Sequence, residues 1–207
     1  MLAIVIPAGV LAGIVQASFF EWIFHRFWLH RPWLPDSCFT SHTLVHHQLC
    51  KHDDTFEVDH HDEEAHEALT FSWWGGPAIV LINATPWALA AGLLHAMGVQ
   101  FPLLAMVLTI AATVTLYYLA YEGFHFLMHK PSIGWIERAR WFRFLKDHHR
   151  LHHVHMHKNL NVILPLADLV LGTFVKGEPI PATTSPKARE VARRHSSFGR
   201  RLRDGSN

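Results

Sequence analysis

Residues 68–121 contain no Asp, Glu, Lys or Arg. About 20 apolar residues cross the hydrocarbon core of a bilayer as a helix, so this run is long enough for two spans. Gly98-Val99-Gln100-Phe101-Pro102 supplies turn chemistry between them. The expected hairpin is residues 73–97 and 102 to about 126, with a kink at Pro86 that a membrane helix tolerates. Residues 1–20 are also uncharged, and the apolar character runs on to Phe24 apart from Glu21. No Lys or Arg precedes Arg26, so the basic start of a signal peptide is missing and a membrane helix is expected.

One span followed by a complete hairpin returns the chain to the side on which the first span ended. The segment after the first helix and everything after the third therefore share a face. Of the 18 Lys and Arg, all but Arg26, Arg31 and Lys51 lie at or beyond Lys130. Positive charge marks the cytoplasmic side, so that face is expected to be cytosolic. With 207 residues, a single domain is expected: a membrane-embedded catalytic part over 1–176, then a polar, basic, partly disordered tail over 177–207. The fold class is an all-α integral membrane protein of three to four spans with a cytosolic helical cap. Residues 131–146 mix Trp and Phe with Arg and read as an interfacial or cap helix. Residues 161–174 are apolar but short, and read as a dipping or buried cap segment. No nucleic-acid reader motif is present. Cys38 and Cys50 are too few for a disulfide framework and read as ordinary thiols.

The 19 histidines fall mostly in four clusters, each near the end of an apolar segment or shortly after one: HRFWLH (25–30), SHTLVHH (41–47), HFLMH (125–129) and HHRLHH (148–153). A helix advances about 100° per residue, which puts His125 with His129 on one face, and His149, His152 and His153 on another. His42 and His46 pair in the same way, with His47 beside them. His25 and His30 are about 140° apart on an ideal helix; they either bracket two metals or sit on a helix that ends between them. Ten candidate ligands result: His25, His30, His42, His46, His47, His125, His129, His149, His152 and His153. Ten imidazoles exceed one tetrahedral zinc and suit two metal ions with open positions. Such sites accept Zn, Cu, Fe or Ni, and zinc outcompetes iron on intrinsic affinity.

Ligating histidines usually donate their second N–H to a carboxylate or carbonyl. Glu21, four residues before His25, and Glu122, three before His125, are therefore expected to support those ligands; Asp147 precedes His148. His95 and His195 stand alone and read as ordinary histidines. His52, His60, His61 and His66 sit in an acidic stretch and read as solvated. His148, His155 and His157 are spare candidates. There is no His-Glu-x-x-His motif, phosphate loop or G-x-S-x-G elbow.

The four boxes in order, followed by NVILPLADLVLGTF (161–174), resemble the fatty acid hydroxylase/sterol desaturase superfamily over about residues 21–174. The resemblance implies a non-haem di-iron centre on the ten box histidines. With O2 as co-substrate, that centre would hydroxylate or desaturate an aliphatic C–H bond of a membrane lipid such as a fatty acyl chain or sterol. A carotenoid ring hydroxylase is the alternative within the class. A histidine-rich metal transporter is the alternative outside it, although a transporter would place ligands mid-span. Three departures stand out. Box three ends in Lys130 where many members have a second histidine, for which His148 or His157 is a candidate. Three spans are evident where the family commonly has four. No cytochrome b5-like domain is fused, so a separate cytochrome b5- or ferredoxin-like donor is expected, with Arg138, Arg140, Arg143 and Lys146 as its candidate landing site.

Overall fold

The computed structural model describes residues 1–53, 55–58 and 68–177. Most of the acidic stretch, including His60, His61 and His66, lies outside the described residues, as does the tail with His195. Three helices are long and apolar enough to cross a membrane. The first, α1 (Leu2–Phe24), runs on without a break into a π-helical turn, π1 (His25–Leu29). After it come α2 (Asp36–Phe39), a second π-helical segment π2 (Thr40–His46), and α3 (His47–Leu49). The hairpin follows as α4 (Gly75–Ala96) and α5 (Leu103–His129). The cap is completed by α6 (Gly134–Glu137), α7 (Arg140–Val154) and α8 (Leu166–Val170). No strand occurs among the described residues.

One sequence expectation needs correction. Residues 131–146 do not form one helix: the chain breaks at Ala139, which is extended before α7 begins. Ile136 and Phe142 are both buried in the cap core with Met128 and Val162, and on one unbroken helix they would point about 120° apart. The break lets both face inward. Residues 161–174 follow expectation as a short, partly buried segment. They hold only the five-residue α8, with Asn161, Val162, Ala167 and Asp168 buried, and they pack on the C-terminal half of α1, where Ser18 donates to the Leu164 carbonyl at 2.9 Å.

Helix α1 lies parallel to α5. Gly9 faces Thr109 and Gly13 faces Thr113; a Cβ on Gly13 would come within 2.8 Å of the Thr113 Cβ and 3.4 Å of the Ile110 carbonyl oxygen. Gly9, Gly13 and Ala17 recur every four residues, the small-residue spacing that lets membrane helices approach closely. Their opposite faces leave Leu11, Leu104 and Leu116 exposed. Because α1 and α5 are parallel, both histidine-bearing ends meet at one end of the bundle. There they lie against α7, whose buried face carries Phe142, Leu145, His148, His149, His152 and His153.

Candidate metal centre

Two π-helical turns set the histidine register. In an i→i+5 turn, residues five apart share a face. The His30 N–H donates to the His25 carbonyl at 3.2 Å, and the two rings stack with centroids 5.0 Å apart. The helix ends at Leu29, with His30 as its C-cap, and the turn brings both rings into the same histidine group. The same device operates in box two, where the His47 N–H donates to the His42 carbonyl. His42 is thus brought together with His47, while His46 turns the other way, contrary to the pairing expected from α-helical spacing.

The nitrogens form two groups, each with its ligand atoms within 4.8 Å of one another: His25, His30, His42, His47 and His152 in the first; His46, His129, His149 and His153 in the second. All nine are buried. His125 is the tenth predicted ligand and falls just outside the second group. Its ring centroid is 4.8 Å from that of His46 and 4.9 Å from those of His129 and His149. Boxes two and four contribute to both groups, so the groups adjoin; the His47 and His153 rings stack at 4.2 Å.

Backbone carbonyls fix the tautomers. A carbonyl can only accept, so a ring nitrogen facing one must carry the proton. Nδ1 of His25 donates to Leu160 O at 2.6 Å, of His125 to Leu69 O at 3.0 Å, and of His129 to Phe56 O at 2.7 Å. Nδ1 of His152 donates to Lys158 O at 2.9 Å and of His153 to Cys50 O at 2.5 Å. The Thr43 hydroxyl gives its own proton to Leu29 O, so it must accept from His30 Nδ1 at 2.9 Å. Six rings in the neutral state therefore aim an Nε2 lone pair inward. Those of His30 and His152 face each other at 3.0 Å.

Protonation does not relieve this. Burial, followed by the neighbouring His152, pushes the His30 pKa down to about 2. Burial pushes His152 down to about 4. His42, His46, His47, His149 and His153 are likewise held well below the usual imidazole range, by burial first and then by one another. Both His46 nitrogens, His125 Nε2 and His149 Nδ1 are buried without a hydrogen-bond partner, although buried polar atoms rarely go unpaired. Opposed lone pairs and orphan nitrogens among neutral rings fit cations between them.

The acids act differently from expectation. Neither Glu21 nor Glu122 accepts a hydrogen bond from a box histidine; the Nδ1 protons of His25 and His125 go to carbonyls instead. Glu21 accepts from Tyr117 Oη at 2.6 Å, Asn161 Nδ2 at 3.0 Å and the Val162 N–H at 2.5 Å. It so anchors the segment whose Leu160 carbonyl orients His25. Glu122 accepts from the Phe71 N–H at 3.2 Å, beside the Leu69 carbonyl that orients His125. Each acid holds a backbone acceptor in place, one step behind the ring.

Sequence reasoning missed Asp168, whose signal lay in the NVILPLAD stretch itself. Its carboxylate accepts from the Leu160 N–H at 2.9 Å, the Asn161 N–H at 2.8 Å, Thr173 Oγ1 at 2.6 Å and His148 Nε2 at 3.2 Å. Burial opposes the ionised form, but these donors outweigh it and hold the carboxyl below its usual range. His148 is thus engaged by Asp168 and belongs to neither histidine group. His155 and His157 are exposed on the loop after α7, so none of the three spare candidates joins the centre. His95 is exposed near the end of α4.

An apolar cavity lies between α1, α4 and α5 and reaches His25 at one end, with Phe24, Ile79, Val114 and Tyr118 among its walls. Comparison with family models, with curated proteins and with solved structures found no match to this chain.

Proposed function

We propose that this chain is a membrane-embedded oxygenase that hydroxylates or desaturates an aliphatic C–H bond of a membrane lipid, using two iron ions and O2. The observation that carries the metal part is the His30–His152 pair, two Nε2 lone pairs opposed at 3.0 Å within a buried set of five imidazoles. The apolar cavity ending at His25 supports the lipid part, and the order and spacing of the four boxes support the choice of iron and O2. His25, His30, His42, His47 and His152 would hold one ion; His46, His129, His149 and His153, with His125 beside them, the other.

Iron held there would supply the binding and reductive activation of O2. The chain's own residues do the rest. Uncharged imidazoles leave the positive charge of the ions uncompensated, which favours electron uptake at the centre. The carbonyls of Leu69, Phe56, Cys50, Lys158 and Leu160 keep each ring's proton on Nδ1 and its lone pair inward. Phe71 stacks on Tyr121, and Tyr121 on His125, closing the bundle side of the centre to water. Arg138, Arg140 and Arg143 are exposed at the histidine end and would receive an acidic one-electron donor from the cytosol; Lys146 is paired with Glu57 at 2.5 Å.

The test is turnover under ¹⁸O2. Protein loaded anaerobically with Fe(II), in native lipid with a chemical reductant, should yield lipid carrying one ¹⁸O, or lipid lacking two hydrogens. A His149→Ala variant should yield neither. Fully loaded wild-type protein that leaves every lipid unchanged would overturn the reading.

A further inference from the structure

The cavity between α1, α4 and α5 has the form of a shaft rather than a bowl. On the first helical run it is walled by Ala17, Phe20, Glu21, Phe24, His25 and Leu29, and its wall on α5 is the parallel stripe from Val114 to Tyr121. From Ala17 to His25 it runs about 12 Å along the helix axis, at 1.5 Å per residue. Apart from Phe71, its lining belongs to the three helices long and apolar enough to cross a membrane. The one acid in its wall, Glu21, has its oxygens engaged by Tyr117, Asn161 and Val162, so it offers the shaft no free acceptor.

The shaft has a floor. Gln16 Nε2 donates to both the carbonyl oxygen and Oδ1 of Asn83 at 2.9 Å, and Trp87 Nε1 donates to Gln16 Oε1. This bridge ties α1 to α4 one residue below Ala17. Nearer the histidines, α4 closes on α5 instead: a Cβ on Gly76 would meet the Tyr118 ring at 2.5 Å. With α4 drawn toward α5, the wall between α1 and α4 is the one left to open on lipid.

We propose that this shaft binds one unbranched alkyl chain of a bilayer lipid. The chain enters between α1 and α4, its end resting on the Gln16–Asn83–Trp87 bridge. The bridge and Val114 fix how far it extends past His25. A shaft walled by stripes on three helices suits a flexible chain and rejects fused rings. Which carbon faces the histidines depends on the oxygenase reading above; occupancy of the shaft does not.

Photolabelling of the metal-free protein in phosphatidylcholine nanodiscs tests this apart from turnover. The probes are a homologous series of straight-chain fatty alcohols with a diazirine at the methyl end. Labelling of Ile79, Asn83 and Val114 should exceed that of the lipid-facing Leu81 and Leu104 several-fold and peak at one chain length. Val114→Phe should move the peak to a shorter probe, and Asn83→Ala to a longer one. Equal labelling of Val114 and Leu104 at every length in the wild type, which needs no variant to fold, would overturn the proposal. So would a peak that stays put in both folded variants. Labelling as expected with no oxidised lipid under ¹⁸O2 would uphold the shaft and remove only the oxygenase reading.

Discussion

Asp168 gives the sharpest prediction about how the centre is held. Replacing it with Ala removes the acceptor for two buried backbone N–H groups, Leu160 and Asn161, as well as for Thr173 and His148. Each buried donor left unpaired costs about 1–3 kcal/mol, and the costs of neighbouring donors do not simply add. These overlap, so a total loss of about 4 kcal/mol is expected. At about 2–4 °C per kcal/mol for a chain of this size, Asp168→Ala should melt roughly 8–16 °C below wild type. Asp168→Asn, which keeps the shape and one accepting oxygen, should fall between. The loop held by Asp168 supplies the Leu160 and Lys158 carbonyls that orient His25 and His152. Loss of such outer partners weakens metal binding about 10–100-fold, and here the weakening should be confined to the five-histidine group. Thermal unfolding in detergent and a metal titration in the Asn variant measure both effects. An Ala variant melting within about 2 °C of wild type, or an Asn variant that weakens both groups alike, would refute this role.

Further outcomes follow from the same contacts. His148→Ala should keep both metals while losing stability, whereas His153→Ala should lose the second metal; metal analysis of the two purified variants decides, and equal metal loss would contradict the division drawn here. Gly13→Val should cost about 1–3 kcal/mol by forcing α1 off α5, against no loss for Gly92→Ala, where a Cβ meets nothing within 4 Å; equal melting temperatures would contradict the packing. Acid should destabilise the metal-free protein. His152 titrates at about 4 when folded and about 6.5 when unfolded, so between those values the unfolded chain holds the extra proton and stability falls as pH falls. The loss should be on the order of 3 kcal/mol by pH 4; a melting temperature flat from neutral pH to that point would contradict it.

The three long apolar helices were legible because charge is costly in hydrocarbon, and residues 68–121 carry none. The ten histidines were legible as clusters, because imidazoles at helical spacing near a bilayer have few other uses. Their division was not. Sequence spacing was read at 100° per residue, and the π-helical turns at His25–Leu29 and Thr40–His46 shift the register by one residue, pairing His42 with His47 in place of His46. The roles of Glu21 and Glu122 were placed one step too close because their true partners, the Val162 and Phe71 amides, are distant in sequence and carry no residue signature. Asp168 was hidden for the same reason: its contact with His148 spans a loop whose path only the folded chain shows.

The central claim is two adjacent histidine-held metal sites, and its most direct measurement is the Fe(II) content and ligand set of the anaerobically reconstituted protein by metal analysis with X-ray absorption. Two ions per chain are expected, each bound mainly by imidazole nitrogen, with an iron neighbour visible in the scattering. A chain that takes up no iron, or a single ion bound mainly by oxygen or sulfur, would contradict it.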